Sequence, residues 1–101
     1  MTNNQAFDAA VAKHMQTLKQ YVPVVARVHG KSHPEFLEVR AAFDALRAKI
    51  EGARQTPDVA EEFAKLRAIT DGYTVPGDVC ESYEAVYTML AQLDKAYHAH
   101  P

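Results

Sequence analysis

Phe7, Val11, Met15, Leu18, Val22 and Val25 follow one another at steps of four, four, three, four and three, which places them on one stripe of a helix. Phe36, Val39, Phe43, Leu46 and Ile50 make a second stripe, and Val79, Tyr83, Val86, Leu90, Leu93 and Tyr97 a last one, both in three-four alternation. Between them Val59, Phe63, Leu66 and Ile69 mark the inner face of a shorter helix. Ala, Leu, Glu, Lys and Arg fill the intervening positions, and no sustained period-two run points to a strand. The pattern breaks at Gly30 to Pro34, Gly52 to Pro57 and Gly72 to Gly77. Three breaks predict four helices. Thr56 reads as an N-cap with Pro57 at the first helical position, and Gly72 as the stop of the third helix. Pro23 predicts a kink and not an end, because the apolar phase continues across it. Short connections make successive helices antiparallel, so the expected fold is an all-α, up-down-up-down four-helix bundle forming a single domain over residues 1–101. That topology gathers Asp8, Ala53, Thr56 and His100 at one end of the bundle.

Composition narrows the partners. A chain of 101 residues is long enough for one core. Its 11 Lys and Arg nearly balance 13 Asp and Glu, so no basic field gathers phosphates and nucleic acid is not an expected partner. The longest apolar stretch, around Val22 to Val25, is far short of the roughly 20 residues a spanning helix needs, so no membrane association is expected. The run Met1-Thr-Asn-Asn-Gln-Ala-Phe-Asp lacks the features of a secretory signal, and with the lone Cys80 this predicts a cytoplasmic, reducing setting. Cys80 has Val79 and Glu81 as neighbours and reads as a structural cysteine early in the last helix.

Four stretches carry a family resemblance. The run Tyr21-Val-Pro-Val-Val-Ala-Arg-Val-His-Gly30, then His33-Pro-Glu, the run Ala64-Lys-Leu-Arg-Ala-Ile-Thr70, and Tyr73-Thr-Val-Pro-Gly-Asp-Val-Cys-Glu-Ser-Tyr83 are similar to the hemerythrin-like domain of the iron-centre repair (RIC) proteins. The resemblance implies a shortened hemerythrin-like helical bundle. In the family that bundle holds a non-haem di-iron centre, and its proteins are associated with restoring damaged iron-sulfur clusters. A centre of that kind needs about six imidazole and carboxylate ligands projecting inward from four helices. Carried over residue by residue, the first-helix histidine falls on Asp8, the second-helix His-x-x-x-Glu pair near Ala53 and Pro57, and the third-helix histidine at Thr56. The last-helix histidine matches His100, and the glutamate that follows it four residues later in the family has no counterpart in this sequence. The resemblance thus implies the fold without the family's own metal centre, and no cofactor is expected.

The remaining histidines allow structural readings. His29, beside Gly30, suits the last turn of a helix, where its ring complements the C-terminal carbonyls. His33 precedes Pro34 in a turn and reads as a loop or capping residue. His98 and His100 point about 200° apart if helical and read as a solvated helix end. Tyr83 and Tyr97 fall on an apolar seam with hydroxyls toward its rim, and the adjacent Glu61 and Glu62 flank a solvated face. Among the motifs of catalysis no glycine-rich phosphate loop, nucleophile elbow or His-Glu-x-x-His occurs. The leading expectation is a non-enzymatic bundle that binds a protein partner or itself, with Val24 and Met89 as exposed contact residues. The alternative is a metal-binding or iron-delivery protein that completes a site from Asp8, His14 and His100 across a dimer.

Overall fold

The computed structural model describes residues 5–54 and 57–99. Four helices follow in order: α1 (Gln5–His29), α2 (Glu35–Gly52), α3 (Ala60–Thr70) and α4 (Glu81–Tyr97). The described residues contain no strand, and the helices pack as an all-α four-helix bundle. α1 lies against α4 and α2, and α3 lies against α2. The bundle measures 45 × 22 × 21 Å, the long dimension set by the 25-residue α1.

The stripes become the core as the periodicity requires. Phe7, Leu18, Val22, Phe36, Val39, Leu46, Phe63, Leu66, Tyr83, Val86, Leu90 and Leu93 are all fully enclosed. Burying one such side chain is worth roughly 1.5–3 kcal/mol, which is why the seams and not the helix propensities hold the bundle together. Val11, Ile50, Ile69, Val79 and Tyr97 sit at the rim of this core, partly buried. α1 runs through Pro23 without a break, held on both sides by the buried Val22, Val25 and Ala26.

Four expectations need correction. α3 begins at Ala60, not at Pro57, because the Val59 backbone N–H donates to the Tyr97 hydroxyl at 3.2 Å and ties this segment to the end of α4. Val59 is itself fully buried, and the first helical bond runs from Phe63 N–H to its carbonyl at 3.1 Å. Thr56, the expected cap, lies outside the described residues. Met89 is partly buried against the core and is not an exposed contact residue, whereas Val24 is exposed as expected. Glu62 is buried, with 6 % of its surface exposed, because the α2·α3 packing turns it toward Lys49 at 2.9 Å. Cys80 is the N-cap of α4, outside the helix and exposed.

α3 ends in a left-handed turn. Asp71, Gly72 and Tyr73 have φ of 52°, 69° and 64° in succession. A tyrosine rarely holds that conformation, and two bonds secure it here. The Tyr73 N–H donates to Thr70 Oγ1 at 2.8 Å, and its hydroxyl donates to Asp94 Oδ2 at 2.7 Å. Asp94 is buried and also accepts from Arg67 Nη1, at 2.7 and 2.8 Å to its two oxygens, and contacts His98 Nδ1 at 2.8 Å. This carboxylate therefore joins α3, the connection after it and α4. Burial, reinforced by the Asp94 bond and charge, holds the Tyr73 phenol above its ordinary value.

Candidate functional site

The two ends of the bundle differ in chemistry. The end that holds Asp8 and Ala53 is filled by aromatic rings. Phe7 meets Phe63 edge-on at 6.1 Å and Tyr97 at 5.2 Å, and Phe63 and Tyr97 lie 5.4 Å apart. Asp8 is exposed and His14 half-buried, and six positions apart on α1 they point about 120° from one another around the axis. His100 lies outside the described residues, as does Thr56. Ala53 caps α2 and carries no donor. Among the described residues of this end, aromatic rings pack between the helices, and Asp8 and His14 do not point to a common centre. Among the described residues no group of three or more His, Cys, Asp or Glu side chains is placed to hold a metal ion.

At the opposite end a further set of titratable groups meets. The C-terminus of α1, the first turn of α2, the α3–α4 connection and the N-terminus of α4 converge there, as the up-down topology requires. His29 stays in the last turn of α1, but its ring reaches across to α4. His29 Nε2 and Cys80 Sγ share a hydrogen bond at 3.1 Å, a contact between residues 51 positions apart. The neighbour that adjacency in the sequence did not give Cys80 is supplied by the fold. His33 spans two carboxylates, with Nδ1 at 3.1 Å from Glu35 Oε2 and Nε2 at 3.2 Å from Asp78 Oδ1. Its contact with Asp78 is screened by water, since that side chain is 75 % exposed.

Glu35 links this surface cluster to the interior. The Tyr83 hydroxyl donates to Glu35 Oε2 at 3.2 Å, and the Tyr83 and Tyr87 hydroxyls lie 3.2 Å apart. Both tyrosines are buried, and their rings pack 5.0 Å apart beside Phe36. Burial, the Tyr87 hydroxyl and the Glu35 charge hold the Tyr83 phenol above its ordinary value, and burial does the same for Tyr87. Each therefore keeps its proton. Because Tyr83 commits its proton to Glu35, the proton between the two hydroxyls belongs to Tyr87, and the chain runs from Tyr87 through Tyr83 to Glu35 and on to His33 and Asp78.

This end also carries the exposed apolar surface. Tyr21, Val24 and Val28 recur at steps of three and four on the outer face of α1, and Leu37 stands on the first turn of α2. A groove of about 250 Å³ runs beside Tyr21, Val24 and Val25 to Ser82 on α4. Glu35, Asp78, Tyr83 and Tyr87 as a polar chain were not foreseen from periodicity, which assigns Tyr83 to the core and stops there. The available signal was the topology: His29, His33 and Cys80 all flank helix ends that an up-down bundle brings together. The chain matches no family model and no solved structure. Among the described residues no helix is long and apolar enough to cross a membrane.

Proposed function

We propose that this chain is a non-enzymatic helical binding module that works by protein contact, pairing through the outer face of α1 with a second copy of itself. The observation that carries this reading is the concentration of exposed large apolar side chains. Among the described residues, Tyr21, Val24, Val28 and Leu37 are the large hydrophobics that stand open, all within a 17-residue span at one end of the bundle. Val28 is 63 % exposed and Leu37 53 %, surface that water contacts at a cost and a partner removes. The stripe complements itself. Around a two-fold axis passing between Val24 and Val25, Tyr21 of one copy faces Val28 of the other, and the Val24 side chains of the two copies flank the axis.

The same stripe lies in the run Tyr21 to Gly30 that resembles the hemerythrin-like repair domain. That resemblance supports an accessory role in iron-sulfur cluster repair or a stress response, exercised in the cytoplasm, where a lone cysteine stays reduced. A few apolar residues are a small patch compared with the roughly 800 Å² per partner of standard interfaces, so pairing is expected to be weak. Sedimentation equilibrium at about 10 to 500 μM tests the reading, a range that brackets dissociation constants near 100 μM. The wild type should rise above 11.2 kDa as concentration increases, and the Val24→Glu, Val28→Glu double variant should stay at that mass. A wild type that remains at the single-chain mass throughout overturns the reading.

A further inference from the structure

An open cavity of about 410 Å³ lies between the first turn of α2, the end of α3 and the connection to α4, on the inner side of the Tyr83–Glu35 chain. It is lined by Glu35 and Asp71, which bear carboxylates, by Thr70, Thr74 and Tyr87, which bear hydroxyls, and by the apolar Ile69 and Pro76. The direction of the hydroxyl protons decides what such a wall recognises. Thr70 Oγ1 donates to the Leu66 carbonyl at 2.7 Å, and Thr74 Oγ1 donates to the Asp71 carbonyl at 2.6 Å. Tyr87 donates to Tyr83, because Tyr83 has spent its own proton on Glu35. All three hydroxyl protons are thus committed within the protein, and these oxygens can only accept, Thr70 Oγ1 already doing so from the Tyr73 N–H.

The carboxylates add to this polarity. Both bonds to Glu35, from Tyr83 and from His33, fall on Oε2, which leaves Oε1 for an incoming donor. No Lys or Arg side chain is among the described residues that line the cavity. The polar side chains of the lining, acceptors with two carboxylates among them, are complemented by a group with donors and no acceptor, and an ammonium has three donors and none. Glu35 already accepts from Tyr83 and contacts His33 through Oε2, so Asp71 at the open rim is needed to complete the attraction. The volume is at the small end of ligand pockets. Ile69 offers the hydrocarbon part of the guest its contact.

We propose that this cavity binds an alkylammonium group, presented by a small aliphatic amine or by the side chain of a lysine. The binding does not depend on α1 pairing, so either proposal can fail without the other.

The test is an amide chemical-shift titration of the labelled protein with n-butylammonium, with Nα-acetyl-lysine N-methylamide, and with neutral n-butanol. Both amines are expected to move the amides of Glu35 and of Asp71 to Thr74, with a dissociation constant on the order of 1 mM for so small a guest. Glu35→Gln and Asp71→Asn should each weaken binding about tenfold, since each removes one of the two charges at the site. Asparagine tolerates the left-handed backbone at position 71, so Asp71→Asn keeps the fold and decides the matter if Glu35→Gln does not. Tighter binding of the lysine derivative assigns the site to a protein lysine, and tighter binding of n-butylammonium to a free amine. Equal shifts with n-butanol, unchanged affinity in Asp71→Asn, or no shift by about 10 mM amine, tenfold above the expected constant, overturns the proposal.

Discussion

Gly30 shows how one position can serve local geometry and packing at once. A β-carbon there would come within 2.4 Å of the Ala26 carbonyl oxygen and 2.9 Å of Leu37 Cδ2. The glycine lets the chain leave α1 and turn under Leu37, with its N–H donating to Ala26 O at 3.0 Å. Gly30→Ala is therefore expected to cost about 1–3 kcal/mol, the usual penalty for forcing backbone to shift in a packed region. A urea melt reads this directly, and a midpoint equal to the wild type's would refute the close approach. Tyr73 is a different case. Its strained φ of 64° is offset by bonds at both its backbone and its hydroxyl, so strain and anchorage sit in one residue.

At the scale of elements, α1 is the longest helix and the one with an internal flaw. Pro23 lacks the N–H that would bond the Lys19 carbonyl, and its ring crowds that carbonyl. The helix persists because Val22, Val25 and Ala26 are buried around it, and Pro23 itself is exposed and packs against no core. Pro23→Ala should then restore a hydrogen bond without opening a cavity. The expected gain is about 1–3 kcal/mol, up to the full proline penalty of a helix interior, and it should appear as a higher midpoint with an unchanged denaturant slope. A loss of stability would mean that the proline ring makes contacts the exposed position conceals. α2, α3 and α4 have no side-chain hydrogen bond at their N-caps, so their starts are fixed by what packs on them. The Val59 bond to Tyr97 is the example at α3.

Across the whole molecule, charge pairs tie the helices laterally. Lys49 Nζ on α2 meets Glu62 Oε2 on α3 at 2.9 Å, and Lys19 on α1 meets Glu51 on α2 at 2.6 Å. The Lys49 hydrogen bond, helped by a backbone hydrogen bond and then by the Lys49 charge, outweighs burial and holds the Glu62 carboxyl below its ordinary value of 4.5. A carboxyl lowered in the folded state binds fewer protons there than in the unfolded chain. Its contribution is therefore complete above pH 4.5 and lost as pH falls through the lower folded value. The wild type should lose stability on acidification below that point more steeply than Glu62→Gln, which has no proton to take up. Urea midpoints across this range check it, and parallel curves for the two proteins would contradict it. Glu62 Oε1 meanwhile has no hydrogen-bond partner among the described residues, so the pair is an incompletely compensated burial and not a pure gain.

The alternation of apolar and polar positions determined four helices, their inward faces and their antiparallel order, because a helix with one apolar stripe has few ways to hide it. Phe7, Phe43, Leu66 and Leu93 could be assigned to the core from spacing alone. The candidate site was legible only in part: His29, His33 and Cys80 were visible as helix-end residues, but not as partners of Glu35, Asp78 and Tyr83. Those contacts span as many as 51 positions and depend on how far each helix extends and how its last turn is rotated. The burial of Glu62, the exposure of Cys80 and the late start of α3 were decided in the same way. Periodicity specifies which face of a helix turns inward. The neighbouring elements decide which side chains at its ends and edges meet, and the free energy of those meetings exists only once the bundle has closed.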